Sequence, residues 1–371
     1  MRILLTGSSG WLGRCLAPRL RRAGHEVIGL DVAPGADTDI RGSVADRALV
    51  ERTFGEHGIE AVIHAGALHK PDIVRYPEAA FHAVNVEGTR NLLDAAARAG
   101  HDRFLFTSTT SLMITAAIRA GKAGGATEAA WLDEAFGPLA PRNIYGVTKL
   151  EAERLCRQVH AESGMAVMIL RTGRFFPEED DTHRHLSGPN IKANEFLNRR
   201  LTVEDAAEAH LAALDKAPAL GCETFILSAP PPFARGECAE LLADAPAVIA
   251  RHFPDAPDLY ARMGWTLPAS LDRVYDPSRA ERLLGFRCRT DYRAVLDALA
   301  GGGELPFAHD PAYVSPKEPV SNQGGEDAET DAGGGRGLDG ADRDAGPDHA
   351  GTSGPYGDVA ARLWRLRLHR L

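Results

Sequence analysis

The stretch Arg2-Ile3-Leu4-Leu5-Thr6-Gly7-Ser8-Ser9-Gly10-Trp11-Leu12-Gly13 decides the fold. An apolar run of strand length ends at Gly7, and a helical pattern, Leu12–Ala23, begins where the glycines stop. Glycines at this spacing let the backbone turn tightly, approach a pyrophosphate and pack the helix on the strand. The helix start then offers its dipole and free N–H groups to phosphate oxygens. Glycines also mark ordinary strand-to-helix turns. Here strand, turn and helix agree, and the reading is a dinucleotide-binding turn.

Outward from this turn the alternation continues. Glu26–Asp31, Ala61–Ala65, Arg103–Ser108 and Ala166–Arg171 read as buried strands. Ala45–Phe54, Ala79–Ala99 and Tyr145–Glu162 read as helices between them. Strands alternating with helices of this length imply right-handed βαβ units and a doubly wound parallel sheet covered on both faces. Ligands of such sheets sit at the carboxyl ends of the strands. Asp31 closes the second strand, where an acid binds the adenosine ribose and repels a 2′-phosphate, so NAD is favoured over NADP. Asp37 and Asp39 are rivals for that role, and no arginine precedes Arg41 in this loop.

Two further constellations carry chemistry. Tyr145 and Lys149 are spaced i,i+4, which puts phenol and ammonium on one helix face. A nearby cation stabilises phenolate and brings a tyrosine toward acid/base range. The alternative is a plain amphipathic helix with a surface lysine. The fourth strand ends in Thr107-Ser108-Thr109-Thr110-Ser111, hydroxyls that can orient a substrate alcohol or carbonyl, or that simply close the strand.

Composition bounds the rest. The chain has 371 residues, 44% hydrophobic and 25% charged, with a net charge of -9, which excludes wholesale disorder and disfavours a nucleic-acid partner. Only six of its 42 basic residues are lysine. Five scattered cysteines (Cys15, Cys156, Cys222, Cys238, Cys288) contain no CxxC pair and suit a reducing, cytoplasmic setting. No apolar run reaches the roughly 18 residues of a membrane span, so no membrane partner is expected. From Gly173 the pattern loosens into a smaller cap, with a helix at Val203–Asp215 and a strand at Thr224–Leu227, ending near Leu299. Within it, Phe175–His185 carries four acids and two histidines; a solvated lid is favoured over a metal site, and no metal is expected. Lys192, Asn194, Arg199 and Arg200 read equally as cleft residues or as an exposed helix face. Asn322–Asp358, with eleven glycines, nine acids and no Val, Ile, Phe, Met or Trp, reads as disordered. The basic stretch Val359–Leu371 could dock on a partner, although a frayed tail is the plainer reading.

Taken in order, these pieces resemble the extended short-chain dehydrogenase/reductases, the NAD-dependent epimerase/dehydratase family related to UDP-glucose 4-epimerase. The resemblance rests on the glycine turn, Asp31, His64-Ala65-Gly66-Ala67 and Asn85 through Asn91. It continues in the hydroxyl run, Pro141 through Lys149, Leu170 through Gly173, Leu201 through Ala206 and Asp276 through Phe286. It implies a Rossmann-type NAD-binding domain over 1–172 and a smaller substrate-binding cap over 173–300, with segments packing back on the Rossmann core. The rest, 301–371, is expected to be a largely disordered tail. It implies that Tyr145 is the acid/base, Lys149 its partner and ribose ligand, and Thr109 the substrate-orienting hydroxyl. Gly7, Gly10, Trp11, Leu12 and Gly13 would wrap the pyrophosphate. Ala65, Gly66, Ala67, Ser108 and Thr172 would line the cofactor. Ser43 and Val44 stand where many relatives carry Asp then a hydrophobe, which weakens the contact to adenine. Thr110 and Ser111 replace the Asp-Glu of the dehydratases, and neither is a carboxyl acid.

The expected activity is NAD-dependent interconversion of a secondary alcohol and a ketone on a small substrate, sugar-like ones included, through the site of Thr109, Tyr145 and Lys149. The alternatives are sugar or nucleotide-sugar epimerisation and, behind both, non-catalytic dinucleotide sensing. A homodimer is the assembly considered.

Overall fold

The computed structural model describes residues 1–179 and 186–317. The two cap histidines, His183 and His185, and the stretch read as a disordered tail lie outside the described residues. Seven parallel strands form the main sheet in the order β3-β2-β1-β4-β5-β7-β8. They are β1 (Arg2–Thr6), β2 (Glu26–Asp31), β3 (Ile40–Arg41), β4 (Ala61–His64), β5 (Arg103–Thr109), β7 (Ala166–Thr172) and β8 (Cys222–Leu227). Chain order reverses between β1 and β4, so a crevice opens beyond their carboxyl ends, where Thr6 pairs with His64.

Side chains alternate between two apolar layers, as strand geometry requires. Ile3, Leu5, Ile63, Leu105, Met168 and Leu170 belong to one layer. Leu4, Val62, Phe104, Phe106, Val167 and Ile169 belong to the other. Helices α1 (Trp11–Arg22) and α8 (Val203–Leu220) pack together along the first layer. Helices α2 (Arg47–His57), α4 (Gly88–Arg98) and α6 (Ile144–Ser163) cover the second. The near-continuous apolar strands follow from this double covering.

The helix read as Ala79–Ala99 is built from α3 (Glu78–Phe81), a π-helical stretch at His82–Glu87, and α4. The wide turns bring in Asn85, which is 1% exposed. Its amide accepts from Leu68 N, donates to Leu68 O, and donates to Thr148 Oγ1 on α6. One buried side chain thus ties the loop after β4 to the helix carrying Tyr145 and Lys149. π-Turns inside helices often mark functional sites.

Other elements escaped the sequence reading. Strand β3 is two residues long, too short for a periodic signal. A second parallel pair joins β6 (Ala130–Leu132) to β9 (Arg273–Tyr275) across 140 residues of chain. Short helices fill the loops and the cap: α5 (Ala116–Ala120), α7 (Gly188–Glu195), α9 (Cys238–Ala243), α10 (Ala245–His252), α11 (Ala256–Met263), α12 (Ser278–Leu284) and α13 (Tyr292–Gly301).

Met1–Pro319 forms one compact unit, and β8 extends the main sheet in parallel register with β7, with Leu227 opposite Thr172. Helix α8 and strand β8 are thus segments beyond 173 that pack back on the Rossmann core. One boundary differs from expectation: the tail does not begin at 301. Phe307 is 9% exposed, its ring lying 5.5 Å from that of Phe196, and the chain stays packed to Lys317. The segment shows neither a helical nor a strand period, so nothing in the sequence signals its docking.

Candidate active site

A cavity of about 690 Å³ opens at the carboxyl ends of β1, β4 and β5. One wall is the glycine turn. Gly7 adopts φ +74°, and a Cβ there would lie 2.7 Å from Gly66 N, so only glycine fits. A Cβ on Gly13 would overlap the Gly7 carbonyl oxygen, which is how the helix comes so close to the strand. Gly10 caps α1 with extended backbone and no side-chain hydrogen bond among the described residues. The first N–H groups of α1, at Trp11, Leu12 and Gly13, are thereby left for an anion. The Trp11 indole N–H is also buried without an acceptor among the described residues.

At the next strand end Asp31, 9% exposed, lines the cavity. Its carboxylate accepts from Ser9 N at 3.0 Å and Ala33 N at 2.9 Å, which fixes its place beside the turn. The rivals have other work: Asp37 pairs with Arg21, and Asp39 accepts from Gly29 N. Ser43 and Val44 line the same end of the cavity, the Ser43 hydroxyl accepting from Ala45 N. Ala65, Gly66 and Ala67 line it from β4. These features fit a dinucleotide: a glycine cradle, an uncapped helix start, and a carboxylate at the second strand.

The opposite end holds the acid/base candidates. Asn143 caps α6 by accepting from Gly146 N, so that Tyr145 and Lys149 occupy its first turns and both line the cavity. Tyr145 is 7% exposed, and burial pushes its phenol up to about 12 despite a hydrogen bond with Thr109 that works the other way; Asp72 adds to the rise. Burial likewise brings Lys149 down to about 7, against the opposing pull of Cys156 and Glu153. Its Nζ stands 4.0 Å from the centroid of the Phe106 ring. Thr109, from the end of β5, also accepts from Ser111 N.

Ser108 and Thr172 line the cavity, but their hydroxyls point into the frame. Ser108 Oγ donates to Glu153 Oε1, and Thr172 Oγ1 donates to Ser108 O. Glu153, one turn beyond Lys149 and fully buried, also pairs with Arg171 of β7 at 2.8 Å. Burial pushes its carboxyl up, but the hydrogen bond and charge of Arg171, with Ser108 and Arg157, hold it below the ordinary range.

Beyond Tyr145 the cavity is aromatic. His69 meets the Tyr145 ring at 5.7 Å and Phe176 at 5.5 Å, and Phe176 stacks on Phe175 at 4.6 Å. Burial holds the His69 imidazole neutral, its pKa well below the ordinary value, with Lys317 and Lys149 acting in the same direction. Arg174, Glu178 and Glu179 line this end too. Lys192, Asn194, Arg199 and Arg200 form neither a cleft face nor an exposed one. Arg199 and Arg200, with Arg174, surround the buried Glu195, and Lys192 Nζ donates to Glu178 O. Burial pushes Glu195 up, yet the three arginines bring it down to about 2. Sequence reasoning missed His69 and Lys317, neither of which sits in a spaced motif; Phe175 and Phe176 open the stretch read as a lid, but their stacking was not legible. Among the described residues no cluster of His, Cys, Asp and Glu could hold a metal ion, and no helix is long and apolar enough to cross a membrane.

Residues 3–224 match the NAD dependent epimerase/dehydratase family. The chain belongs to that family. Among curated proteins it is similar to the UDP-glucose 4-epimerase of Azospirillum brasilense, 30% identical over 179 residues, covering 46% of this chain and 48% of the relative. It is also similar to the 3-beta-hydroxysteroid dehydrogenase of Mycolicibacterium neoaurum, 29% identical over 196 residues and covering 49% of each chain. Both matches span about half the length of the relative. Among solved structures, a short-chain dehydrogenase/reductase superfamily protein from Agrobacterium tumefaciens, with bound NAD, superposes with a TM-score of 0.57 at 25% identity. That match covers 81% of this chain and 96% of the other. The expected family and Rossmann-type sheet are borne out. The part of the chain that the family does not match includes β9, α9–α13 and the segment to Lys317.

Proposed function

We propose that this chain is an NAD-dependent oxidoreductase that interconverts a secondary alcohol and a ketone on a small substrate. The observation that carries the reading is the buried Thr109–Tyr145 pair, with Lys149 one turn along α6, at the end of a cavity that begins at the glycine turn. When bound, NAD supplies the hydride acceptor or donor.

The residues divide the remaining work. The backbone of Gly7–Gly13 and the Asp31 carboxylate hold and orient the dinucleotide, and the carboxylate repels a 2′-phosphate. Thr109 Oγ1 orients the substrate oxygen. Tyr145 Oη takes the hydroxyl proton during oxidation and returns it during reduction. Without added positive charge the phenol stays protonated, since burial disfavours phenolate. Lys149 sits near the balance between ammonium and amine, so its charged form is the natural counter-charge for phenolate. The aromatic wall of His69, Phe175 and Phe176 excludes water and suits an apolar ring or chain next to the reacting carbon. We assign the protein to the cytoplasm, in keeping with its five free cysteines.

Similarity to UDP-glucose 4-epimerase supports a second reading, in which the hydride returns to the opposite face of a sugar without net redox. The carboxylates Glu178 and Glu179 at the substrate end, and its aromatic wall, favour the first reading over a nucleotide sugar. The test is a screen of secondary alcohols and ketones against nucleotide sugars, following NADH absorbance and product configuration together. Net, stoichiometric NADH formation on an alcohol supports the oxidoreductase. Epimer formation with no free NADH would replace it with the second reading.

A further inference from the structure

The segment 302–317 leaves α13 and returns across the mouth of the cavity. Asp310 N donates to Pro177 O at 2.9 Å. The Tyr313 ring then meets Trp11 edge-on at 5.2 Å, and the Arg14 guanidinium covers both rings, at 5.5 Å and 5.9 Å. Four residues later Lys317 Nζ donates to Ala67 O at 2.9 Å and lies 3.3 Å from Asp72 Oδ2. The side chains of this last pair are only 10% and 5% exposed. Trp11 follows β1 and Ala67 follows β4, so the segment is anchored on both sides of the crevice where chain order reverses. Between the anchors, Ser315, Pro316 and Lys317 are part of the cavity wall.

Charge placement points the same way. The chain uses arginine for nearly every positive position, yet Lys70, Lys149 and Lys317, three of its six lysines, line this one cavity. Asp72 is buried and its carboxylate already accepts from His69 N at 2.6 Å. The Lys317 ammonium uses two of its three donors on Ala67 O and Asp72, so this latch keeps one donor for a second anion.

We propose that residues 310–317 are a strap over the dinucleotide, in which Lys317 is a binding residue for its diphosphate and the Tyr313–Trp11 and Lys317–Asp72 contacts set how fast it leaves. This rests on the reading of the cavity as an NAD site. Crossing both loops, the strap lies on the path by which a bound dinucleotide exchanges with solvent. Its anchors act on release more than on encounter, because contacts broken in leaving appear mainly in the dissociation rate.

The experiment uses the full chain and its variants Lys317→Ala, Lys317→Arg and Tyr313→Ala. NADH is bound, chased with excess NAD, and its fluorescence followed in a stopped-flow instrument; melting of each ligand-free variant is recorded alongside. Lys317→Ala and Tyr313→Ala should each release NADH about tenfold faster or more, the scale of one charge-assisted bond or aromatic contact. Lys317→Arg should recover most of the loss. Lys317→Ala, which leaves Asp72 buried without its counter-charge, should also melt lower. The ligand-free melting of Lys317→Arg and Tyr313→Ala should stay within a few degrees, so that Tyr313→Ala reads release alone. Release at the unmodified rate from both alanine variants overturns the strap while leaving the dinucleotide site standing. Failure of the unmodified chain to bind NADH at all overturns the site and the strap together.

Discussion

At the scale of single residues, the roles proposed for Tyr145, Lys149 and Asp31 are separable. Tyr145→Phe removes only the ionisable oxygen, so turnover should fall about 10²-fold or more while NADH affinity survives. Full turnover on a substrate found by screening would assign the acid/base elsewhere. For Lys149 the proton balance fixes a sign. Burial depresses its amine to about 7, so between about pH 7 and 10 the unfolded chain binds more protons than the native one. This group alone makes stability rise with pH across that window. The unmodified chain should therefore gain stability over Lys149→Met from pH 7 to 9.5 in urea unfolding, and a pH-independent difference would contradict it. Asp31→Ala should erode a preference for NAD over NADP in titrations, and tighter NADP binding by the unmodified chain would refute the assignment. These three residues were legible because each sits in a local pattern: a strand end, or one turn of helix. His69 and Lys317 were not, because no spacing announces a residue whose partners come from other parts of the chain.

Between elements, the site depends on a clamp rather than on α6 alone. Glu153 holds Ser108 of β5 and Arg171 of β7 to the helix that carries Tyr145 and Lys149. Removing its carboxylate leaves the Arg171 guanidinium buried, 3% exposed, with no counter-charge at 2.8 Å. Breaking a buried pair on one side costs about 3–5 kcal/mol. Glu153→Ala should lose about that much in denaturant unfolding, and a loss below about 1 kcal/mol would show that the clamp holds nothing. Since its folded carboxyl lies below the ordinary range, the clamp's contribution is complete above the unfolded value, about 4.3, and is lost as pH falls through the folded one. The strands and long helices of this frame were readable from hydrophobic period alone. Asn85 was not, since a π-helical turn leaves the apolar spacing nearly helical while redirecting one polar side chain. The Glu195–arginine cluster was hidden for a related reason: buried and exposed arginines look alike in sequence, and only the fold brings Arg174 beside Glu195.

For the whole molecule, the question is where the functional chain stops. The limit near 300 comes from where the family resemblance and the helical pattern stop; composition marks only Asn322–Asp358 as unable to build a core. Packing carries it to Lys317, through contacts such as Lys317 to Ala67, 250 residues apart. Periodicity cannot reveal such a contact, since it is set by closure of the whole fold. Two shortened chains distinguish these boundaries. One ending at 319 keeps Phe307, Tyr313 and Lys317 and removes Asn322–Asp358, too poor in apolar residues to build a core, together with the basic stretch Val359–Leu371. It should melt within about 2 °C of the full chain if that basic stretch is the frayed tail its sequence suggests. One ending at 301 exposes the Phe196 ring beneath Phe307, and burial of such a side chain is worth about 1.5–3 kcal/mol. In a unit of this size that corresponds to a fall of about 3–10 °C, with weakened NADH binding beside it. Equal melting temperatures for the two shortened chains would return the boundary to 300. A fall of many degrees on ending at 319 would instead show that the last residues contribute to the core. The packing of Phe307, Tyr313 and Lys317 carries the compact part of the described chain past 301.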